Sequence, residues 1–233
     1  MSNSYFSFRQ FTVQQELCAM KVGTDGVLLG AWAEGGERIL DVGTGTGLIA
    51  LMMAQRFAEA QIVALDIVHE ACTQAAVNVK ASPFTNRIDV VESSVQQYDA
   101  NEKFDSIVSN PPFFVNSLLA PDAHRTLARH SCALPYAELF ASVRRLLTAD
   151  GVFSAIIPAE CLQVFVAEAS LCGFSLTRRC AVKTTMRKPV RRFLLAFRQH
   201  GATEFSASEE VLQAPDGSRT EWYDALTHDF YVK

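Results

Sequence analysis

From residue 38 onward, short apolar, β-branched runs alternate with longer segments of helical period. Such alternation commits a chain to crossover units laid on a parallel sheet. The reading is α/β, a doubly wound, mostly parallel sheet of seven strands. Arg38 to Val42 is the first strand, a glycine-rich turn follows, and Thr46 to Phe57 is a helix. Strand Gln61 to Ile67, helix His69 to Ala81, strands Arg87 to Val91 and Phe104 to Ser109, and helix Pro135 to Leu147 continue the series, with Gly151 as the stop of the last. A strand over Gly151 to Ile157 and a helix over Ala159 to Cys172 come next. Phe174 to Val182 and Arg192 to Arg198 then form two strands with no helix between them, so the C-terminal pair is an antiparallel hairpin. Before residue 38, a short strand or turn precedes a capped helix starting near Thr24 that could lie across the sheet.

At 233 residues the chain suits one hydrophobic core. One domain over 1–233 is expected, with 1–37 as an N-terminal cap segment and 201–233 as a C-terminal docking appendage. With 49% hydrophobic and 20% charged residues, it is neither disordered nor fibrous. Its longest apolar run, Leu48 to Ala54, is far short of the roughly 18 to 20 residues that span a bilayer. The opening MSNSYFSFRQ lacks the basic and apolar regions of a secretory signal, so a cytoplasmic protein is expected. Cys18, Cys72, Cys132, Cys161, Cys172 and Cys180 include no C-x-x-C pair, and the histidines show no zinc spacing. Neither a disulfide framework nor a metal is expected.

Asp41-Val-Gly-Thr-Gly-Thr-Gly47 closes the first strand and opens the first helix. There Gly43, Gly45 and Gly47 let the backbone approach a ligand, and the helix start offers N–H groups. The dinucleotide fingerprint would need glycine at position 48, where the chain has Leu48. An acid beside the glycines repels a pyrophosphate but accepts from an amino group or attracts a sulfonium or ammonium cation. The alternative is a tight turn with no ligand. Asp66 ends the second strand, where doubly wound folds place the carboxylate that takes a ribose diol, though an aspartate there can also simply cap a helix. By the same logic Ser94 or Val95, just past the third strand, is placed against an adenine.

Ser109-Asn110-Pro111-Pro112-Phe113 follows the fourth strand and faces the crevice of the glycine loop. The prolines stiffen the turn, Asn110 and the Pro111 carbonyl offer two acceptors, and Phe113 offers a stacking face. That set suits a planar amine with two N–H bonds, although N-P-P-F is also a common turn.

Together these motifs resemble the class I, Rossmann-like methyltransferases that use S-adenosyl-L-methionine and modify exocyclic or amide nitrogens. The segment Met20-Lys-Val-Gly-Thr-Asp-Gly-Val-Leu-Leu-Gly-Ala-Trp32 and the closing Asp216-Gly to Phe230-Tyr231 are similar to bacterial transfer-RNA adenine-N6 methyltransferases acting on adenine 37 of the valine tRNA. The resemblance implies Asn110, Pro111 and Phe113 as catalytic residues. It implies Lys21, Asp25, Asp41, Gly43, Gly45, Gly47, Asp66, Ile67 and Ser94, with Asn110 again, around the cofactor. Ser94 departs from the aspartate common in the wider class. Methylation of a protein glutamine amide is a second reading, though those relatives usually carry tyrosine where Phe113 stands; a non-catalytic cofactor-binding module is a third.

The net charge of −4 hides a local excess of the opposite sign. Arg178, Arg179, Lys183, Arg187, Lys188, Arg191 and Arg192 fall in one stretch without an acid. Such a hairpin suits phosphate contacts to a tRNA, the alternative being a strand pair kept soluble by charge. Tyr5, Phe6, Phe8 and Phe11 could stack on unpaired bases or staple the N-terminus to the core. The partner implied is tRNA, with no membrane; the oligomeric state is open, with a monomer favoured.

Overall fold

The computed structural model describes residues 3–18, 20–112, 134–199 and 204–232. Strands β1 (Tyr5–Ser7) and β2 (Thr12–Gln14) form a small antiparallel hairpin, and helix α1 (Thr24–Trp32) follows. Then come β3 (Arg38–Val42), α2 (Leu48–Arg56), β4 (Gln61–Asp66), α3 (His69–Lys80), β5 (Ile88–Glu92) and β6 (Phe104–Ser109). From residue 134 on, the described elements are α4 (Tyr136–Leu146), β7 (Leu147–Pro158), a 3-10 turn (Ala159–Cys161), α5 (Leu162–Leu171), β8 (Phe174–Thr185), β9 (Val190–Gln199), β10 (Ser206–Gln213) and α6 (Glu221–Thr227). The main sheet has the order β10-β8-β9-β7-β6-β3-β4-β5, parallel except where β9 runs against β7 and β8.

The α/β class and the antiparallel pair are therefore as the sequence reads, with one correction: the sheet has eight strands, not seven. The eighth is β10, from the stretch expected to be an appendage, and it lies parallel to β8. Its sequence, SASEEVLQ, is polar and largely exposed, because an edge strand buries little side chain and is held by the ladder of its neighbour. Gly151 does not stop a helix; α4 ends at Leu146 and runs straight into β7, which contains Gly151. Nor does α1 carry a side-chain cap, since its N-cap is Gly23.

Both faces of the sheet are covered. One carries α1 and α2, which approach closely because Gly26 and Gly30, one turn apart, face α2 without a Cβ. A Cβ there would lie 2.9 Å from Leu48 Cδ2 or 2.8 Å from Met52 Sδ. Every residue of α2 from Leu48 to Ala54 is buried, which explains its uninterrupted apolar run. The opposite face carries α4 and α5 over an aromatic cluster in which Phe140 meets Phe153, Phe165, Phe174 and Phe197. Of the N-terminal aromatics, Phe8 and Phe11 are buried, and Phe8 stacks on both Phe11 and Tyr231. They staple the hairpin to the chain end; only Tyr5 is largely exposed.

Candidate active site

Crossover topology puts the C-terminal ends of the parallel strands along one edge, and the candidate residues gather there. Val42 and Ser109 are register partners on adjacent strands, and Ser109 Oγ donates to Val42 O at 2.9 Å. That bond fixes the start of the Asn110-Pro111-Pro112 turn beside the glycine loop, about one strand spacing of 4.8 Å away. Pro111 is buried. Asn110 donates weakly to Met20 Sδ at 3.9 Å, whereas its Oδ1 is buried and accepts no hydrogen bond among the described residues. A buried acceptor without a donor is costly unless a ligand completes it. Phe113 lies outside the described residues.

Gly43, Gly45 and Gly47 all take positive φ, at 76°, 55° and 81°. A Cβ on Gly43 or Gly45 would meet nothing within 4 Å, so these two line an open cradle. Gly47 is the left-handed N-cap of α2, which is why that helix begins at Leu48 and not at Thr46. The loop is pinned from below, with Gly43 N and Thr44 N both donating to Leu65 O. Asp66 supports it from the side: its Oδ2 accepts from Gly45 N at 2.9 Å and its Oδ1 from Val68 N at 3.0 Å. Each oxygen keeps a lone pair for a diol. Ile67 beside it is half exposed, an apolar face at the rim.

Asp41 is fully buried. Its Oδ2 accepts from Thr44 Oγ1 at 2.7 Å and from Ala50 N at 3.2 Å, while Oδ1 has no partner among the described residues. Burial pushes its carboxyl up to about 7, against these two bonds and with a small push from Asp66. An orphaned carboxylate oxygen and an orphaned amide oxygen flanking an open glycine cradle fit a ligand that brings positive charge and N–H donors. This is the composition of S-adenosyl-L-methionine next to an amine.

Ser94 is turned to local use, its Oγ accepting from Gln97 N at 3.3 Å. Arg145 clamps the same turn through Val95 O, Gln96 O and Tyr98 O. Lys21 is exposed in the segment before α1. Asp25 Oδ2 accepts from Arg192 Nε at 2.7 Å.

The basic run divides in two. Arg178 lies toward the far end of α1, 3.9 Å above the Trp32 ring and paired with Glu34. Arg179 lies over Phe193 and Phe205, Lys183 pairs with Glu209, and Arg192 with Asp25. Each of these four has an intramolecular partner contributed by another stretch of chain. Arg187, Lys188 and Arg191 are exposed at the β8–β9 turn and enter no ion pair among the described residues. That turn projects beyond the same sheet edge as Asn110, for Arg192 pairs with Pro158 at the end of β7.

Three residues that the motifs do not include hold the site together. Asn78, buried in α3, donates to Thr46 O and to Gln14 O, both at 2.8 Å, and accepts from Gln14 N. Gln74 accepts from Leu17 N, and Gln15 accepts from Val22 N. They sew the segment bearing Cys18 and Met20 to the glycine loop. The Cys18 thiol is pushed up to about 11, by burial first and by the Asp66 carboxylate second. The available signal was polar Gln74 and Asn78 four residues apart on the stripe of buried Ala71 and Ala75.

Among the described residues no helix is long and apolar enough to cross a membrane, and no three histidine, cysteine, aspartate or glutamate side chains gather as a metal cluster. The five described cysteines are free thiols.

Residues 22–134 match the Methyltransferase small domain family. Curated relatives named tRNA1(Val) (adenine(37)-N6)-methyltransferase match end to end. That of Parabacteroides distasonis is 44% identical over 100% of both chains, and that of Bacteroides thetaiotaomicron 45% identical over 100% of this chain and 99% of its own. Among solved structures, an Agrobacterium tumefaciens protein described as a "predicted O-methyltransferase" superposes with a TM-score of 0.71 at 17% identity, covering 88% of this chain and 96% of that one. A glycopeptide N-methyltransferase solved with S-adenosyl-L-methionine gives a TM-score of 0.55 at 13% identity, covering 77% and 100%. These two share the fold. Full-length identity at this level shows that the chain belongs to the tRNA1(Val) (adenine(37)-N6)-methyltransferase family.

Proposed function

We infer that this protein transfers a methyl group from S-adenosyl-L-methionine to the N6 amine of an adenine in tRNA, at adenine 37 of the valine tRNA that its relatives' name specifies. The observation that carries the reading is the buried, unpartnered Oδ1 of Asn110 beside the glycine cradle. Asn110 Oδ1 accepts one amine hydrogen and the Pro111 carbonyl the other. Held so, the nitrogen lone pair leaves conjugation with the ring and points into the crevice, and Phe113 stacks on the base. The amine proton can leave after the new bond forms, so no general base is required. Positioning of this kind contributes up to about 7 to 11 kcal/mol where alignment is good.

Gly43, Gly45, Gly47, Asp66 and Ile67 would hold the cofactor, with Asp41 beneath its positive charge. When bound it supplies an electrophilic methyl group. Asp66→Ala is expected to weaken cofactor binding, because charge-assisted hydrogen bonds are worth about 1.5 to 3 kcal/mol, roughly ten-fold or more in affinity. Calorimetric titration checks this, and unchanged affinity removes Asp66 from the site.

The exposed cations on the shared edge favour RNA over a protein amide as the acceptor. Replacing Arg187, Lys188 and Arg191 by glutamine should raise the tRNA concentration for half-maximal rate and leave cofactor affinity intact. The slope of log affinity against log salt should flatten by about 0.7 for each single-strand phosphate that the variant no longer neutralises. Identical slopes for wild type and variant would place the RNA elsewhere.

A further inference from the structure

Between the first turn of α1 and the outer strands β8, β9 and β10 lies a groove of about 370 Å³. That size lies within the range of small-ligand sites. Leu28, Val182 and Leu212 give it an apolar lining, and Asp25, Thr184 and Arg191 its polar groups. The Asp25 carboxylate spends one lone pair of Oδ2 on Arg192 and otherwise only accepts. Arg191, exposed and in no ion pair among the described residues, brings a planar cation. The groove therefore asks for a ligand with apolar flat faces, an N–H edge and a nearby negative charge. A nucleotide has all three.

Position supports the same ligand. Val182 pairs with Arg192, and Arg192 with Pro158 of β7, the strand next to β6 and Asn110. The groove's nearest strand, β9, lies two strand spacings from β6, about 10 Å, and its middle strand, β8, lies three, about 14 Å. Nucleotides along one strand are about 3.4 Å apart, so a strand covers that distance in roughly three or four steps. The first turn of α1 also packs, at Gly26, against Leu48, the residue with which α2 opens just after the glycine loop.

We propose that this groove takes a second nucleobase of the same RNA, splayed out about three or four nucleotides from the target adenine, its N–H edge toward Asp25 and its phosphate beside Arg191. The proposal rests on the RNA reading above and assigns Asp25 to the nucleic acid instead of the cofactor.

The test uses the full-length enzyme and anticodon stem-loop RNAs carrying an abasic site, in turn, at each of about four positions on either side of the target adenine. Base stacking is worth about 1 to 3 kcal/mol per base. One abasic position should therefore raise KM by roughly 5- to 150-fold with kcat little changed. Thr184→Trp, which fills the groove from an exposed strand position, should raise KM for intact RNA comparably. In that variant the same abasic site should add nothing. Cofactor affinity by calorimetry and thermal unfolding check its fold; should it not fold, Arg191→Ala replaces it, and the abasic effect must shrink there. Abasic sites that leave KM unchanged everywhere, or effects of groove and abasic site that simply multiply, overturn the groove while methylation at the target persists. Wild-type enzyme that methylates no RNA overturns the groove together with the proposed function.

Discussion

Asn110→Ala is expected to lower the methyl-transfer rate by about 100- to 1,000-fold, the usual cost of losing one preorganised group aimed at the reacting centre. Cofactor affinity should stay near the wild-type value, since the glycine loop is held by Leu65 and Asp66 and not by Asn110. The fold should survive as well. Among the described residues Asn110 Oδ1 makes no hydrogen bond, and its amide donates to the Met20 sulfur. Asn110→Asp should retain more activity than alanine, because a carboxylate still accepts from N–H and favours the positive charge developing on nitrogen. Single-turnover rates at saturating cofactor, with thermal unfolding run in parallel, check this pair. A folded, cofactor-binding alanine variant that methylates at the wild-type rate would refute the role given to Asn110.

Asp41→Asn should stabilise the cofactor-free protein while damaging cofactor binding. Burial raises the Asp41 carboxyl from 3.8 to about 7, so the native state prefers the protonated form. A group raised in this way contributes stability fully present below pH 4 and lost as pH rises through 7. At pH 8 the cost of ionising it is roughly 4 kcal/mol, since a tenfold change in proton affinity corresponds to about 1.36 kcal/mol. Asparagine, neutral throughout, keeps an acceptor for Thr44 and Ala50 and escapes that cost. Urea unfolding at pH 5 and pH 8 should show the variant gaining on the wild type as pH rises. Calorimetry should show weaker binding of S-adenosyl-L-methionine, whose positive charge the carboxylate would face. Parallel pH curves for the two proteins would mean that Asp41 does not titrate in this range.

The parallel sheet and the site edge were legible because both rest on local signals. Phe104–Ser109 is a strand over the very residues its apolar run marks, and the glycines of the loop take the positive φ that glycine alone accepts readily. What escaped the sequence is decided by partners far along the chain. Arg178, Lys183 and Arg192 look alike in a basic run, yet each is neutralised by an acid from elsewhere, Glu34, Glu209 and Asp25. Within that run Arg187, Lys188 and Arg191 are exposed at the surface and enter no ion pair among the described residues, and alternation along β8 and β9 could not single them out. The edge strand β10 has no apolar pattern of its own and exists because β8 offers it a ladder. Asn78 reads as helix surface until Gln14 and Thr46 are seen to surround it.

The most direct measurement is nucleoside mass mapping of valine tRNA transcripts after incubation with the purified protein and S-adenosyl-L-methionine. One transcript carries adenine at position 37 and the other guanine. One N6-methyladenosine per molecule at position 37 of the first, and none in the second, is the predicted result. Methylation that ignores the substitution, or label that enters protein glutamine and leaves both transcripts unmodified, would contradict it.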